Sequence, residues 1–158
     1  MNIETIEVAE RGRALIEAIS NRSDNIGHAV VAMTDGLNRV DAFRCWYAVT
    51  SGVVGAWRTI AAHSLTCDCG SHDVRVSFLM RNEDGSPLAV DDAPPARARV
   101  MRFLAASGNR DRETAWALFI TITSPEEISE FCALVTHALK DLLPYQAPSA
   151  DEAGGEPT

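Results

Sequence analysis

Residues 115–143 constrain the fold of this chain more than any other stretch. The run Ala115–Thr123 is uncharged, rich in aromatic and β-branched residues, and apolar at both odd and even positions. Such a run is typical of a strand in the middle of a sheet that is covered on both faces. We therefore predict a buried central β-strand at residues 115–123.

A helix is predicted to begin directly after this strand. Residues 124–127 read Ser-Pro-Glu-Glu, which combines an N-cap serine, a proline at the first helical position and the glutamate of a capping box. Apolar residues then recur with helical periodicity as far as Leu142, and Pro144 would end the helix. The pattern predicts an amphipathic helix over residues 124–143.

Three earlier segments, at about residues 3–21, 41–63 and 96–107, show the same helical periodicity. Segment 41–63 is apolar nearly all round, which predicts that it is the central helix of the fold. Its Gly52 and Gly55 lie three residues apart. That spacing indicates either the close approach of a neighbouring backbone or a kink in the helix.

Further strands are predicted from alternation and turn signals. Apolar residues alternate with other side chains from Val74 to Met80, and after a polar turn the short segment 88–90 can pair back as a hairpin. The apolar run Ala29–Met33 precedes an Asp-Gly turn and predicts one more strand. Together these segments predict an α+β fold in which a mainly antiparallel sheet of four to five strands carries packed helices.

The domain organisation expected from the sequence is simple. Residues 1–146 are predicted to form one globular domain, because the chain has an ordinary domain length and an ordinary apolar content. Residues 147–158 are small, polar and acidic, and they predict a disordered tail.

The order of the predicted elements resembles small regulatory α+β folds of the roadblock/longin type. The matching stretches are Ala29–Leu37 with its Asp-Gly turn, the helix at 41–63, and Phe78–Val90 with a second Asp-Gly turn. The helix at 96–107 departs from that order. In folds of this type a sheet carries helices and forms dimers that bind GTPases or scaffold proteins. The resemblance therefore implies self-association and a regulatory protein partner.

Charge and hydropathy exclude several classes of protein. A net charge of −8 argues against broad nucleic-acid binding, which needs a positive surface. The sequence has neither a basic, apolar leader nor a run of about 18 uncharged apolar residues, so we expect no transmembrane helix and a cytoplasmic location. In that compartment the four cysteines are expected to be thiols or metal ligands.

One short segment carries a candidate metal site. Four side chains of the kinds that bind zinc lie within ten residues: His63, Cys67, Cys69 and His72. Zinc takes thiolate and imidazole ligands in a tetrahedron, so the set could close around one ion. The spacing departs from the common pattern of two separated knuckles. The alternative is a surface loop of ordinary thiols and solvated histidines, in which case the protein needs no cofactor.

A second candidate site is a cluster of arginines, whose members are Arg97, Arg99, Arg102, Arg110 and Arg112. Within residues 97–112 only Asp111 opposes them, which gives a local charge of +4 (five minus one) in a chain of −8. Such a cluster could bind a phosphate, a carboxylate or an acidic protein surface. The alternative is a solvated face whose arginines pair with neighbouring carboxylates.

The sequence carries no common catalytic motif. We find no phosphate-binding loop, no dinucleotide-binding turn, no nucleophile elbow and no zinc-protease helix. The leading hypothesis is a small, non-catalytic cytosolic interaction or regulatory protein that binds a protein partner, with a homodimer among the candidates. One alternative is a zinc-stabilised module that uses the His63–His72 loop. The other is a small-molecule-binding protein or enzyme whose pocket residues come from distant parts of the chain.

Overall fold

The computed structural model describes residues 5–64, 75–78, 80–82 and 84–143. In these residues, helices pack around one core and the strands amount to a single two-residue pair. The helices are α1 (Thr5–Ser20), α2 (Ile26–Thr34), α3 (Arg39–Ser64), α4 (Pro95–Gly108), α5 (Arg112–Ile120) and α6 (Pro125–Leu142). The strands are β1 (Met80–Arg81) and β2 (Pro87–Leu88), followed by a 3₁₀ turn at Val90–Asp92. The prediction of an α+β fold with a sheet of four to five strands is therefore wrong, and the resemblance to sheet-based regulatory folds is lost with it.

The predicted central strand at 115–123 lies mostly in helix α5, and this is the largest correction. Asp111 caps that helix, because its carboxylate accepts a hydrogen bond from the backbone N–H of Thr114 at 3.0 Å. Ala115 and Phe119, one helical turn apart, face the core. A short run that is apolar at nearly every position is compatible with a buried helix and with a buried strand. Such a run has no periodicity that could distinguish the two.

The predicted strand at Ala29–Met33 is also helical, as part of α2. Helix α1 stabilises this segment from outside, because the guanidinium of Arg11 donates to the carbonyls of Ala32 and Asp35 at 3.0 and 3.2 Å. These carbonyls belong to the last turn and end of α2, where a helix has no internal donors. This tertiary contact outweighs the β-propensity of the valines.

The helices predicted at 3–21, 41–63, 96–107 and 124–143 correspond to α1, α3, α4 and α6. The capping box of α6 is confirmed: the Ser124 hydroxyl accepts from the N–H of Glu127 at 3.1 Å. The Glu127 carboxylate accepts in turn from the N–H groups of Thr123 and Ser124. Those bonds lower the pKa of Glu127 to about 2. At pH values above the ordinary pKa of a glutamate, the ionised Glu127 carboxylate therefore stabilises the start of α6. This stabilisation is lost as the pH falls through about 2.

A short hairpin remains where a longer one was predicted. Met80 pairs with Leu88 and Arg81 with Pro87, whereas residues 75–78 have no regular structure. Asn109, just after α4, holds this irregular segment: its side chain accepts from the N–H of Val76 at 2.8 Å and donates to its carbonyl at 2.9 Å. The segment is therefore fixed to the end of α4 by a pair of hydrogen bonds that mimics a strand partner.

Helix α3 is central, as predicted, since it contacts each of the other five helices of the described chain. It runs without interruption from Arg39 to Ser64. Open space surrounds Gly52 and Gly55, so the predicted close approach of a neighbouring backbone is wrong, and the alternative of a kink stays a prediction. The close approaches occur elsewhere. A Cβ at Gly12 of α1 would lie 2.8 Å from Val49 Cγ2. A Cβ at Gly108 of α4 would lie 3.0 Å from the Cβ of Val54 and overlap one of its methyl groups.

Aromatic rings from four helices form the centre of the core. The ring of Phe131 lies edge-to-face against Phe103, Phe119 and Trp46, with centroids 5.2, 5.6 and 5.9 Å away. Edge-to-face pairs add to the stabilisation from burial alone. Phe131 thus joins α6 to α3, α4 and α5 at one point.

None of the helices in the described ranges is both long and apolar enough to cross a membrane. The acidic tail predicted at 147–158 lies outside the described residues.

Candidate functional site: an apolar cleft beside the aromatic core

The candidate zinc site falls almost wholly outside the described part of the chain. The backbone of His63 lies in the last turn of α3, and Cys67, Cys69 and His72 belong to residues that the structure does not describe. Within the described ranges, no three histidine, cysteine or acidic side chains group as metal ligands. The zinc site therefore stays a prediction.

The predicted arginine cluster does not form one patch. Arg97 is exposed on α4. Arg99 faces α6, where its guanidinium donates to Glu127 at 3.4 Å. Arg102 pairs with Asp91 of the 3₁₀ turn. Two of the three arginines on α4 are thus in ion pairs with different elements.

The other two arginines lie around the junction of α4 and α5. Arg110 has a positive φ of 61° and ends α4, where the N–H of the next residue bonds back to the carbonyl of Ala106 at 2.9 Å. Arg112 is the first residue of α5 and borders a shallow cavity with Val40 and Trp116. The five arginines of the predicted cluster therefore lie on different parts of the surface and do not form one binding site.

A mainly apolar cleft of about 330 Å³ lies between the α2–α3 turn, the end of α5 and the start of α6. We call it the apolar cleft. Its floor is buried core: Trp46, Phe119, Ile122 and Phe131. Its rim is formed by Thr34, Leu37, Arg39, Ala42, Thr123, Ile128 and Cys132. The cleft thus reaches the edge of the aromatic core, whose own side chains are at most 9% exposed.

The rim combines an exposed apolar side chain with one cation. Ile128, near the start of α6, is 49% exposed, whereas Phe131 and Val135 of the same helix are buried. Arg39 is the one basic residue of the lining, and it forms no ion pair with any residue that the structure describes. An apolar group with a neighbouring anion fits this lining best.

A hydrogen-bond network fixes the start of α3 and so places Arg39. Asn38 caps the helix: its side chain accepts from the N–H of Asp41 at 3.0 Å and donates to the Asp41 carboxylate at 2.8 Å. Arg44 pairs with the same fully buried carboxylate at 2.9 Å. A buried charge satisfied in this way gives the helix start a defined position.

The cleft has little capacity for chemistry. Burial raises the pKa of the Cys132 thiol to about 11, so this side chain is protonated and weakly nucleophilic at neutral pH. Among the described residues, the lining includes no carboxylate and no histidine. The arrangement can bind an apolar group, and it offers no acid–base pair to act on one.

Comparison with known proteins gives no match: no family model, no curated protein and no solved structure matches this chain. Function is therefore inferred from the geometry of the site.

Proposed function

We propose that this chain is a non-catalytic cytosolic interaction protein, and that its protein partner inserts one large apolar side chain into the apolar cleft. The observation that carries the proposal is the open cleft with an aromatic floor and the half-exposed Ile128 at its rim. In protein interfaces, a few large side chains that insert into pockets of the partner usually contribute most of the binding free energy.

The apolar surface continues on the other side of the first turn of α3. There, Val40 is 45% exposed and borders a shallow cavity of about 430 Å³ together with Trp116. Ile120, one turn further along α5 than Trp116, is 41% exposed. Apolar residues gathered around one helix end support a contact surface wider than the cleft alone.

The charge of the cleft favours a partner segment with a carboxylate next to its anchor. Arg39 lines the cleft, whose lining holds no carboxylate among the described residues, whereas Arg112 borders the shallow cavity together with Glu113. The chain as a whole has a charge of −8, so long-range attraction would not draw an acidic partner to it. Local pairing with Arg39 would fix the orientation of the bound segment instead.

Peptide selection tests the proposal. Peptides from a random display library are selected against the full chain, and their affinities are measured for the wild type and for Ala42→Phe and Ala48→Phe. We expect selected peptides to carry a large apolar residue flanked by Asp or Glu. Ala42→Phe should weaken them by about tenfold or more, because the added ring occupies the cleft. Ala48 is exposed on the same helix and does not line the cleft, so Ala48→Phe should bind like the wild type.

Thermal melting of both variants establishes that they are folded. Selected peptides that bind Ala42→Phe as well as they bind Ala48→Phe would contradict the proposal. So would a selection dominated by basic sequences, because the lining cation is Arg39.

A small-molecule binder is the second candidate, supported by the volume of the cleft. At about 330 Å³ it lies at the lower end of the range of ligand pockets. If this candidate is right, small apolar acids bind the wild type and not Ala42→Phe, while the peptide selection gives no cleft-dependent binder.

A further inference from the structure

Three arginines from separate parts of the chain line one groove of about 490 Å³ between α4 and α5. They are Arg58 of α3, Arg75 of the irregular segment and Arg102 of α4. We call this cavity the arginine groove. Of the arginines singled out in the sequence, Arg102 alone lines it, so the groove is a product of the fold.

Two of these arginines are held against the end of α4. The guanidinium of Arg58 donates to the carbonyl of Gly108 at 3.4 Å. Arg75 directly precedes Val76, whose backbone N–H and carbonyl are both bonded to the side chain of Asn109. The Arg58 guanidinium is thus held by a main-chain carbonyl, and the backbone next to Arg75 is fixed. Such pre-organisation lowers the cost of binding an anion.

The charge balance of the groove is positive. Asp111 is the one carboxylate in its lining, and it is already engaged as the cap of α5. Arg102 also pairs with Asp91, whose side chain is 86% exposed. An ion pair so open to water contributes little, so an incoming dianion can compete for that guanidinium.

Part of the groove lining is apolar. It includes Ala105 and Ala106 of α4 and Leu118 of α5. A volume of about 490 Å³ leaves room for much more than an inorganic anion. The groove therefore offers charged donors for one part of a ligand and an apolar surface for another.

We propose that the arginine groove binds a small organic phosphate. The guanidiniums of Arg58 and Arg102 hold the phosphate through charge-assisted hydrogen bonds, Arg75 lies in the same lining, and the organic part contacts the apolar lining residues. This site shares no lining residue with the apolar cleft. Its occupancy can therefore be tested apart from the proposed protein interaction.

Titration of the isotope-labelled full chain with phenyl phosphate, followed by amide chemical shifts, tests this proposal. Inorganic phosphate and succinate serve as comparison ligands at constant ionic strength. We expect saturable shifts at Asn109 and Thr114, which line the groove. Replacing Arg58 or Arg102 with glutamine should raise the dissociation constant by about tenfold, the usual effect of losing a hydrogen bond to a charged group.

Arg97→Gln is the matched control, because Arg97 is an exposed arginine on α4 that does not line the groove. It should change the dissociation constant by about twofold at most, through screened charge alone. Arg58→Gln removes the bond to the Gly108 carbonyl and Arg102→Gln removes the pair with Asp91, so the amide spectrum of each variant without ligand is recorded to establish that it is folded. The proposal is overturned if phenyl phosphate gives no saturable shifts at groove amides, or if Arg97→Gln weakens binding as much as the groove variants do. Equal or tighter binding of inorganic phosphate or succinate overturns the assignment to an organic phosphate.

Discussion

Replacing Phe131 with alanine is expected to destabilise the protein by about 3–5 kcal/mol. The Phe131 side chain is 4% exposed and contacts three other rings, from Trp46, Phe103 and Phe119. Its removal would leave a void among side chains that are held by four different helices and cannot easily close around it. The measurement is the free energy of unfolding from urea denaturation.

Ile128→Ala is the control for this substitution. Ile128 lies on the same helix three residues earlier, but it is 49% exposed at the rim of the apolar cleft. Its truncation should cost about 1 kcal/mol or less, since little apolar area returns to water. Equal losses for the two variants would contradict the placement of Phe131 at the junction of the helices.

Replacing Gly108 with alanine is expected to destabilise the protein by about 2–3 kcal/mol, as over-packing does in a tight contact. This sign is the reverse of the ordinary preference of a helix for alanine over glycine. The added methyl group would overlap a methyl of Val54 and lie 3.0 Å from its Cβ. Relief would require α4 to move away from α3, on which the core is built.

Gly52→Ala makes the same chemical change in the same kind of element and is expected to have the opposite effect. No atom beyond its own helix lies within 4 Å of a Cβ placed at Gly52. Helix propensity should therefore dominate and raise the free energy of unfolding by about 1 kcal/mol. Stabilisation by Gly108→Ala would contradict the close packing of α4 against α3.

The parts of the fold that the sequence predicts are those with local signals at both ends. The capping residues of α6 and the long periodic pattern of α3 need no knowledge of the rest of the chain. Helix α5 is short, and its one clear signal is the Asp111 cap, which lies outside the apolar run at 115–123. Without that signal, the apolar pattern of the run fits a strand and a helix equally well. Its aromatic and β-branched composition then favours a strand, which is wrong.

The candidate sites could not be predicted because their residues are distant in sequence. The apolar cleft joins the turn before α3 to the end of α5 and the start of α6. The arginine groove brings Arg58 and Arg75 to Arg102, whereas sequence proximity grouped Arg102 with Arg97 and Arg112. A run of charges that spans two helices and their connection is divided among several faces as the chain turns.

Whether the apolar cleft of the native protein binds an apolar group is tested most directly with anilinonaphthalene sulfonate, a dye that is both apolar and anionic. Its fluorescence is titrated against folded wild type, Ala42→Phe, Ala48→Phe and Arg58→Gln under native conditions. We predict that the wild type and Ala48→Phe bind one dye molecule per chain in the cleft, with the rings against its apolar lining and the sulfonate near Arg39. Ala42→Phe should lose this molecule, whereas any dye bound in the arginine groove should be lost from Arg58→Gln instead. Dye binding that is unchanged in Ala42→Phe, or absent from the wild type, would contradict the assignment of the cleft as the binding site of this protein.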